Sequence, residues 1–169
     1  MTQVIPRELD DALGFNLYRV ALLFRRELMR ALERYLLTPE QWQVLVALVQ
    51  GAGSLEQHEL AELTLRDKHT LSRIVARMER DGWIARRPHS RDRRVTLVQP
   101  SRRARAEMDS VRKHLFEHFT PILAQLSRAE HAGLMASLKK LRGYLERAPV
   151  VADEAGSVPG SQKNKRTRR

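Results

Sequence analysis

A mainly α-helical fold with one small β-hairpin is predicted by three observations. Leu, Ala and Arg are abundant and aromatic residues are few, 5% of the chain, which favours helix. Apolar residues recur at helical spacing over most of residues 8–147. Two short β-type segments, 83–87 and 94–99, flank a polar, Arg-rich tip. The stretch 67–83 organises the rest. In it Leu71, Ile74, Val75 and Met78 fall at i, i+3, i+4 and i+7, one apolar stripe of an amphipathic helix. His69, Ser72, Arg73, Ala76 and Arg80 lie on the opposite face, with Arg77 flanking. Gly82 stops the helix at a C′ position.

The other elements follow from their caps and stripes. Residues 8–36 read as one long helix through Leu9, Leu13, Leu17, Val20, Phe24, Leu28, Ala31 and Tyr35, weakened only locally by Gly14. Thr38-Pro39-Glu40-Gln41 combines an N-cap, an N1 proline and a capping-box glutamine, with Trp42, Leu45, Val46 and Val49 behind it. Ser54-Leu55-Glu56-Gln57 is read as a second box, opening a short helix to Leu63. Thr64–Arg66 make a turn, and Asp67 caps the next helix, 68–81, where its charge suits the helix dipole. Two short helices joined by such a turn form a helix-turn-helix, and the basic hairpin behind them makes it winged.

Pro100 breaks the second strand and Ser101 caps a helix to Leu126. Its residues Ala104, Met108, Val111, Leu115, Phe119, Ile122 and Leu126 approach a heptad seam, and Pro121 is expected to kink or split it. Ser127 to Glu130 is a third box, opening a last helix to Arg147 with Leu134, Leu138, Leu141 and Leu145 on one stripe. The organisation is therefore an N-terminal helix at 8–36, a winged lobe at 38–100 and C-terminal helices at 101–147. A Gly/Ser/Pro-containing basic tail at 149–169 is expected to be disordered.

Lys and Arg number 31 against 20 Asp and Glu, a net charge of +11. A polyanionic partner follows, nucleic acid first and an anionic membrane second. The absence of cysteine excludes disulfides, thiolate metal sites and thiol redox sensing. With no spanning apolar run and no secretory leader, a soluble cytoplasmic protein is expected, with no membrane as partner. His114 and His118 stand at a metal-capable i, i+4 spacing but read as polar flanks of a helix, so no metal and no cofactor are expected. No phosphate loop and no nucleophile–base set is present, which argues against an enzyme.

A major groove admits an α-helix, whose N-terminal residues meet base edges. On 68–81 these are Lys68, His69, Thr70, Ser72 and Arg73, with Arg77 and Arg80 nearer the end suited to phosphate. An arginine fork at Arg73 matches guanine. The plainer reading is a solvated helix face. The hairpin shifts the balance, because Arg86, Arg87, Arg91, Arg93, Arg94, Arg102, Arg103 and Arg105 cluster with Asp92 as their one acid. A polyanion relieves that self-repulsion, and arginine suits a narrow minor groove. Asp92 is placed to orient a neighbouring arginine. A merely solubilising loop is the alternative.

These residues resemble the MarR-type transcriptional regulators. The resemblance rests on LAEL (60–63), DKHTLSRIVARMERDGWIARR (67–87) and SRDRRVTLVQPS (90–101). Thr70, Ser72 and Arg73 match the family's helix start. Met78, Glu79 and Gly82 match its end, Trp83, Ile84 and Arg86 its strand, and Asp92 and Arg94 its wing. Pro100 and Ala104 depart from the family's Leu-Thr-x-x-Gly exit, while Ser101 keeps the capping hydroxyl. The resemblance implies a homodimer built from the N-terminal and last two helices. It binds a palindromic double-stranded operator through Ser72, Arg73 and the wing's Arg94, which Asp92 orients. It also implies a response, in many members, to small aromatic or phenolic ligands held between the dimer region and the DNA-binding lobe. No residue of this sequence locates such a site. The dimer also follows from the residues themselves, since the Leu-rich stripes exceed what a small DNA-binding lobe can bury. An intramolecular bundle is the alternative.

The reading is thus a sequence-specific DNA-binding regulator, acting as a repressor. The alternatives are a winged-helix module for protein contacts or non-specific DNA compaction, and a peripheral membrane protein.

Overall fold

The computed structural model describes residues 7–51, 53–89 and 95–148. Its described part comprises α1 (Arg7–Asp10), α2 (Leu13–Leu32) and a 3-10 turn (Glu33–Tyr35). These are followed by α3 (Pro39–Gln50), β1 (Leu55–Glu56), α4 (Gln57–Leu63) and α5 (Lys68–Arg80). The hairpin strands β2 (Ile84–Pro88) and β3 (Thr96–Pro100) and the helices α6 (Arg102–Leu123) and α7 (Arg128–Leu145) complete it. The fold is mainly α with a small antiparallel sheet, as predicted. Among the described residues no helix is long and apolar enough to cross a membrane.

The N-terminal helix departs from the single 8–36 element. It breaks at Asp11–Ala12, two residues before Gly14. The Asn16 side-chain amide donates to the Asp10 and Ala12 carbonyls, satisfying backbone acceptors left open by the break. At the other end the chain tightens into the 3-10 turn, closed by Leu36 in the left-handed region at φ 54°.

The caps decide the next starts. Thr38 and Gln41 form the expected box, with Thr38 N donating to Gln41 Oε1 at 2.8 Å and Gln41 N to Thr38 Oγ1 at 3.2 Å. The box expected at Ser54 forms two residues later. Leu55 and Glu56 are drawn into the sheet opposite Val98 and Leu97, so Glu56 becomes the cap and donates its N–H to Glu59 at 2.7 Å. Strand β3 lies between β1 and β2, with Arg86 opposite Val98 and Pro88 opposite Thr96. Pro100 does not end β3 early, because it is the final paired residue, opposite Ile84.

One core joins these elements. Leu71, Val75 and Met78 of α5 are fully buried with Val44, Leu45 and Leu48 of α3, Leu60 of α4, Val98 of β3 and Trp83. Ala104, Met108, Val111 and Leu115 of α6 join the same core, with Ala31 and Leu32 of α2. The first turns of the seam read as a dimer surface are therefore filled within the chain. Farther along α6, Phe119 stacks on Phe24 of α2 at 4.7 Å, and the Tyr35 hydroxyl lies 3.2 Å from the Ser110 carbonyl and side chain. Pro121 sits in the last turn without splitting the helix, which ends at Leu123 rather than Leu126.

The chain divides after Ile122 into two compact units. In the second, Ser127 and Glu130 form the expected capping box and α7 runs to Leu145. Hydrogen bonds from the Ser127 hydroxyl and backbone hold the Glu130 carboxyl below the usual glutamate range. The tail from 149 lies outside the described residues.

Leu71 is the first fully buried residue of the α5 stripe. Leu71→Ala is expected to lower unfolding free energy by about 2–5 kcal/mol. In urea this is a lower midpoint at unchanged slope. A loss below about 1 kcal/mol would contradict the packing described.

Candidate nucleic-acid interface

Asp67 starts the α5 helix. Its carboxylate accepts the His69 N–H at 3.0 Å and the Thr70 N–H at 2.9 Å. The backbone N–H and hydroxyl of Thr70, then the N–H and charge of His69, hold the Asp67 carboxyl below the usual aspartate range. The His69 and Thr70 amide donors of this terminus are thus used internally, and a negative group already occupies the positive end of the dipole.

The side chains around this end are the predicted ones. Lys68, His69 and Arg73 are exposed, while Thr70 and Ser72 are half-buried beside them. No acid stands in the first turn of α5. Neither Lys68 nor Arg73 has an ion-pair partner among the described residues. Arg77 and Arg80 differ, because both face Asp81 at the far end, at 3.6 and 3.1 Å. The helix therefore has unpaired cations at its start and paired ones at its finish.

The C-terminal end of α5 closes as a Schellman motif. Trp83 N donates to Met78 O at 2.8 Å and Gly82 N to Glu79 O at 3.0 Å, with Gly82 at φ 77°. Trp83 enters the core beside Met78, so the chain leaves the helix directly into β2. Arg86 of β2 reaches back to Glu79 of α5, Nε to Oε2 at 3.2 Å. Two residues singled out in the motif thus pair helix to hairpin. The wing residues Arg91, Asp92, Arg93 and Arg94 lie outside the described residues. Strands β2 and β3 converge on them from both sides, in register to Pro88 and Thr96.

Sequence reasoning missed the contacts at the α5–α6 junction. Ser101 caps α6 as expected, accepting from Ala104 N at 3.1 Å, but its hydroxyl also donates to Gly82 O at 2.7 Å, which the sequence does not show. Arg103 Nη1 donates to Asp81 O at 3.0 Å, its Nε to Glu107 at 2.9 Å, and its guanidinium lies 4.3 Å over the Trp83 ring. Arg105 donates to Pro100 O at 3.3 Å. The arginine run of 86–105 concealed these inward roles, since composition does not separate an arginine that braces the protein from one that faces out. Arg66, in the turn before α5, is another brace, donating to Gln43 of α3 at 3.0 Å.

Of the two histidines of α6, His118 faces α2 and His114 the 3-10 turn after it. His114 lies 3.4 Å from Arg34 and edge-on to Tyr35, and His118 lies 3.5 Å from Glu27 and edge-on to Phe119. Burial raises the Glu27 carboxyl, but hydrogen bonds and charges from Arg30 and Arg26 outweigh it and leave it below the usual range. A concavity of about 460 Å³ lies between α2 and the start of α3, bordered by Arg25, Arg26 and Arg30, by Glu33 and Glu40, and by Met29, Leu37 and Pro39. Arg25 on its rim is bound to Glu40 at 2.8 Å.

The Asp67 cap carries a pH signature. A carboxyl whose folded pKa is depressed contributes stability above its unfolded value, near 4, and loses it as pH falls through the folded value. Wild-type protein is therefore expected to lose stability on acidification below about pH 4.5. Asp67→Asn, which keeps a capping side chain, should show a shallower acid slope by urea titration at each pH. Identical slopes would contradict the cap.

The MarR family model matches residues 37–95, from the turn before α3 to the residue before β3. A probable transcriptional regulator of Pseudomonas aeruginosa, known as a crystal structure, is 32% identical. The match covers 79% of this chain and 98% of that one, at a TM-score of 0.71. A cysteine-to-serine mutant of MarR from E. coli, crystallised with operator DNA, is 25% identical, over 76% of this chain and 92% of that one, at a TM-score of 0.70. The transcriptional activatory protein BadR of Rhodopseudomonas palustris is 37% identical over 100 residues, 58% of this chain. That stretch spans only 57% of BadR. The helix order, the α4–α5 turn, the braced hairpin and these matches agree: the chain is a winged-helix DNA-binding transcription regulator and belongs to the MarR family.

Proposed function

We propose that this regulator reads a palindromic double-stranded operator as a homodimer and represses transcription there. The reading rests above all on the first turns of α5, where Lys68 and Arg73 are exposed without ion-pair partners among the described residues and no acid intervenes. Base contacts are assigned to Lys68, His69, Thr70, Ser72 and Arg73, with Arg73 as the fork for guanine. Arg77, turned toward Asp81, is assigned to phosphate. Arg91, Arg93 and Arg94 are assigned to the minor groove beside α5, with Asp92 orienting Arg94.

Residues 38–100 serve as the DNA-binding lobe, and 8–36 with 101–147 as the dimer region. Exposed apolar residues support the second assignment. In α2, Leu13, Val20, Leu22, Leu23 and Phe24 are exposed, and in α7, Leu134, Met135, Leu138 and Leu145 are exposed. Apolar faces of this kind mark interaction surfaces, and a two-fold dimer sets two recognition helices about one DNA turn apart. The basic tail at 149–169 adds non-specific attraction to the duplex.

Release by a small aromatic or phenolic acid completes the proposal. The concavity between α2 and α3 is bordered by Glu33 and Glu40 as well as by arginines already paired with carboxylates, so an acid bound there would have to displace an existing ion pair. Such a ligand acts only by binding the DNA-competent and incompetent dimers unequally.

Selection of bound duplexes from random DNA tests specificity, half-site spacing and symmetry together. A recovered palindrome is expected. Sequence-indifferent binding would instead favour a compaction or protein-contact module. Arg73→Ala should cost about 1–3 kcal/mol at one base position and relax specificity there, whereas Arg94→Ala should weaken binding and leave the preferred major-groove bases unchanged. Wild-type affinity in both variants would overturn the site. A monomeric mass at micromolar concentration by light scattering would overturn the dimer. Transcription from the selected promoter should fall on adding protein and recover with benzoate or a hydroxybenzoate. A rise on adding protein would reverse the sign.

A further inference from the structure

In the arginine run after α5, Arg103 is exposed but makes more contacts with the protein than its neighbours do. Arg103 uses both ends of its guanidinium on the protein. Nη1 holds the Asp81 carbonyl, the C-cap of α5, and Nε holds Glu107 one turn farther along α6. Its flat face covers Trp83 at 4.3 Å, and that indole is almost fully buried in the core. Two more bonds lie beside it, from the Ser101 hydroxyl to Gly82 O and from Ser101 N to Trp83 O at 3.1 Å. Three consecutive carbonyls, at 81, 82 and 83, are thus held by the first residues of α6.

We propose that Arg103 is a specificity-determining positioning residue that does not read DNA itself: it fixes the angle of α5 against α6, and with it the register of Lys68, Ser72 and Arg73 on the bases. The inference rests on the reading of α5 as the base-reading helix. A helix end left to its own carbonyls can tilt about its buried stripe. At Arg73 the displacement grows with distance from the pivot, and a bidentate arginine–guanine pair tolerates little of it. Phosphate contacts through flexible cationic side chains tolerate more. Losing the brace therefore costs specific binding and spares non-specific binding. The same brace ties α5 to the α2–α6 pairing at Phe24–Phe119 and Tyr35–Ser110, so a shift of α6 against α2 is delivered to the recognition helix through Arg103.

The rival role for Arg103 is a plain phosphate contact, and Glu107 separates the two. Removing Glu107 adds positive charge to the surface yet frees one end of Arg103. Positioning predicts that Glu107→Gln lowers the ratio of operator to random-duplex affinity. Simple charge attraction predicts tighter binding to both duplexes.

The experiment uses full-length protein, an operator obtained by selection, and a scrambled duplex of the same length. Affinities are measured by fluorescence anisotropy at several salt concentrations, with folding checked by circular dichroism and thermal melting. Arg103→Ala is expected to lower operator affinity about tenfold, the scale of one lost charge-assisted hydrogen bond. Scrambled-duplex affinity should change less than about twofold and the scrambled-duplex salt slope should be unchanged. Arg103→Lys, which keeps the cation over Trp83 without the fork, should fall between wild type and alanine. Equal losses on both duplexes, with a salt slope reduced by about one, would make Arg103 a phosphate contact and overturn the proposal. An unchanged affinity ratio in both Arg103→Ala and Glu107→Gln would overturn it as well. If wild-type protein selects no preferred sequence, the base-reading assignment fails and this inference falls with it. If wild type selects an operator and the variants keep its preference, only the inference fails.

Discussion

The burial of one face of α5 is the constraint on which the rest of the structure depends. Leu71, Val75 and Met78 are fully buried, together with residues from α3, α4 and β3. Fixing that stripe fixes which residues turn outward, because helical geometry leaves no freedom between faces. Lys68 and Arg73 are exposed because Leu71 and Val75 are not. The hairpin depends on the same burial, since Trp83 enters the core at the point where α5 ends and β2 begins. A helix loosened from this core would lose both its outward pattern and the starting point of the wing.

Most of the fold was legible because its signals are local. Thr38 with Gln41, Asp67 with Thr70, and Ser127 with Glu130 cap the helices they announce. Gly82 ends α5 in the left-handed conformation that glycine tolerates best. Where reading failed, a long-range partner had overruled a local preference. Ser54 carries a good capping hydroxyl, but pairing of Leu55 and Glu56 with β3 moved the cap to Glu56. The heptad-like spacing of Ala104 to Leu115 shows that α6 has an apolar face, but not what covers it. In this chain the helix α2 and the lobe core cover its first turns. The break at Asp11–Ala12 left no signal beyond an asparagine four residues later.

The candidate site was legible to a different extent. Spacing alone identifies the outward residues of α5, because their positions follow from the buried stripe. The arginines of 86–105 are another matter, since an excess of positive charge reads the same whatever each one touches. Three of them turn to the protein, Arg86 to Glu79, Arg103 to Asp81 and Trp83, and Arg105 to Pro100. Each holds a junction between elements. Glu79 and Glu107 offset the charges of Arg86 and Arg103, while the bond to the Pro100 carbonyl leaves Arg105 its full charge, so part of the basic character of this run is mechanical.

The two-residue strand β1 has a consequence of its own. Leu55 and Glu56 directly precede α4 and pair with β3, the same strand that pairs with β2 on its other side. The hairpin is therefore stitched to the helix-turn-helix along a backbone ladder, and β2 is tied to α5 through Arg86 and Glu79. Helix α5 and the described strands of the hairpin are thus held in one frame. On the proposed reading of DNA, a duplex that fits this frame must offer a major groove and the neighbouring minor groove at a set separation. Meeting that demand costs less for some base steps than others. On that proposal, sequence preference extends to base pairs between the two grooves that no side chain touches.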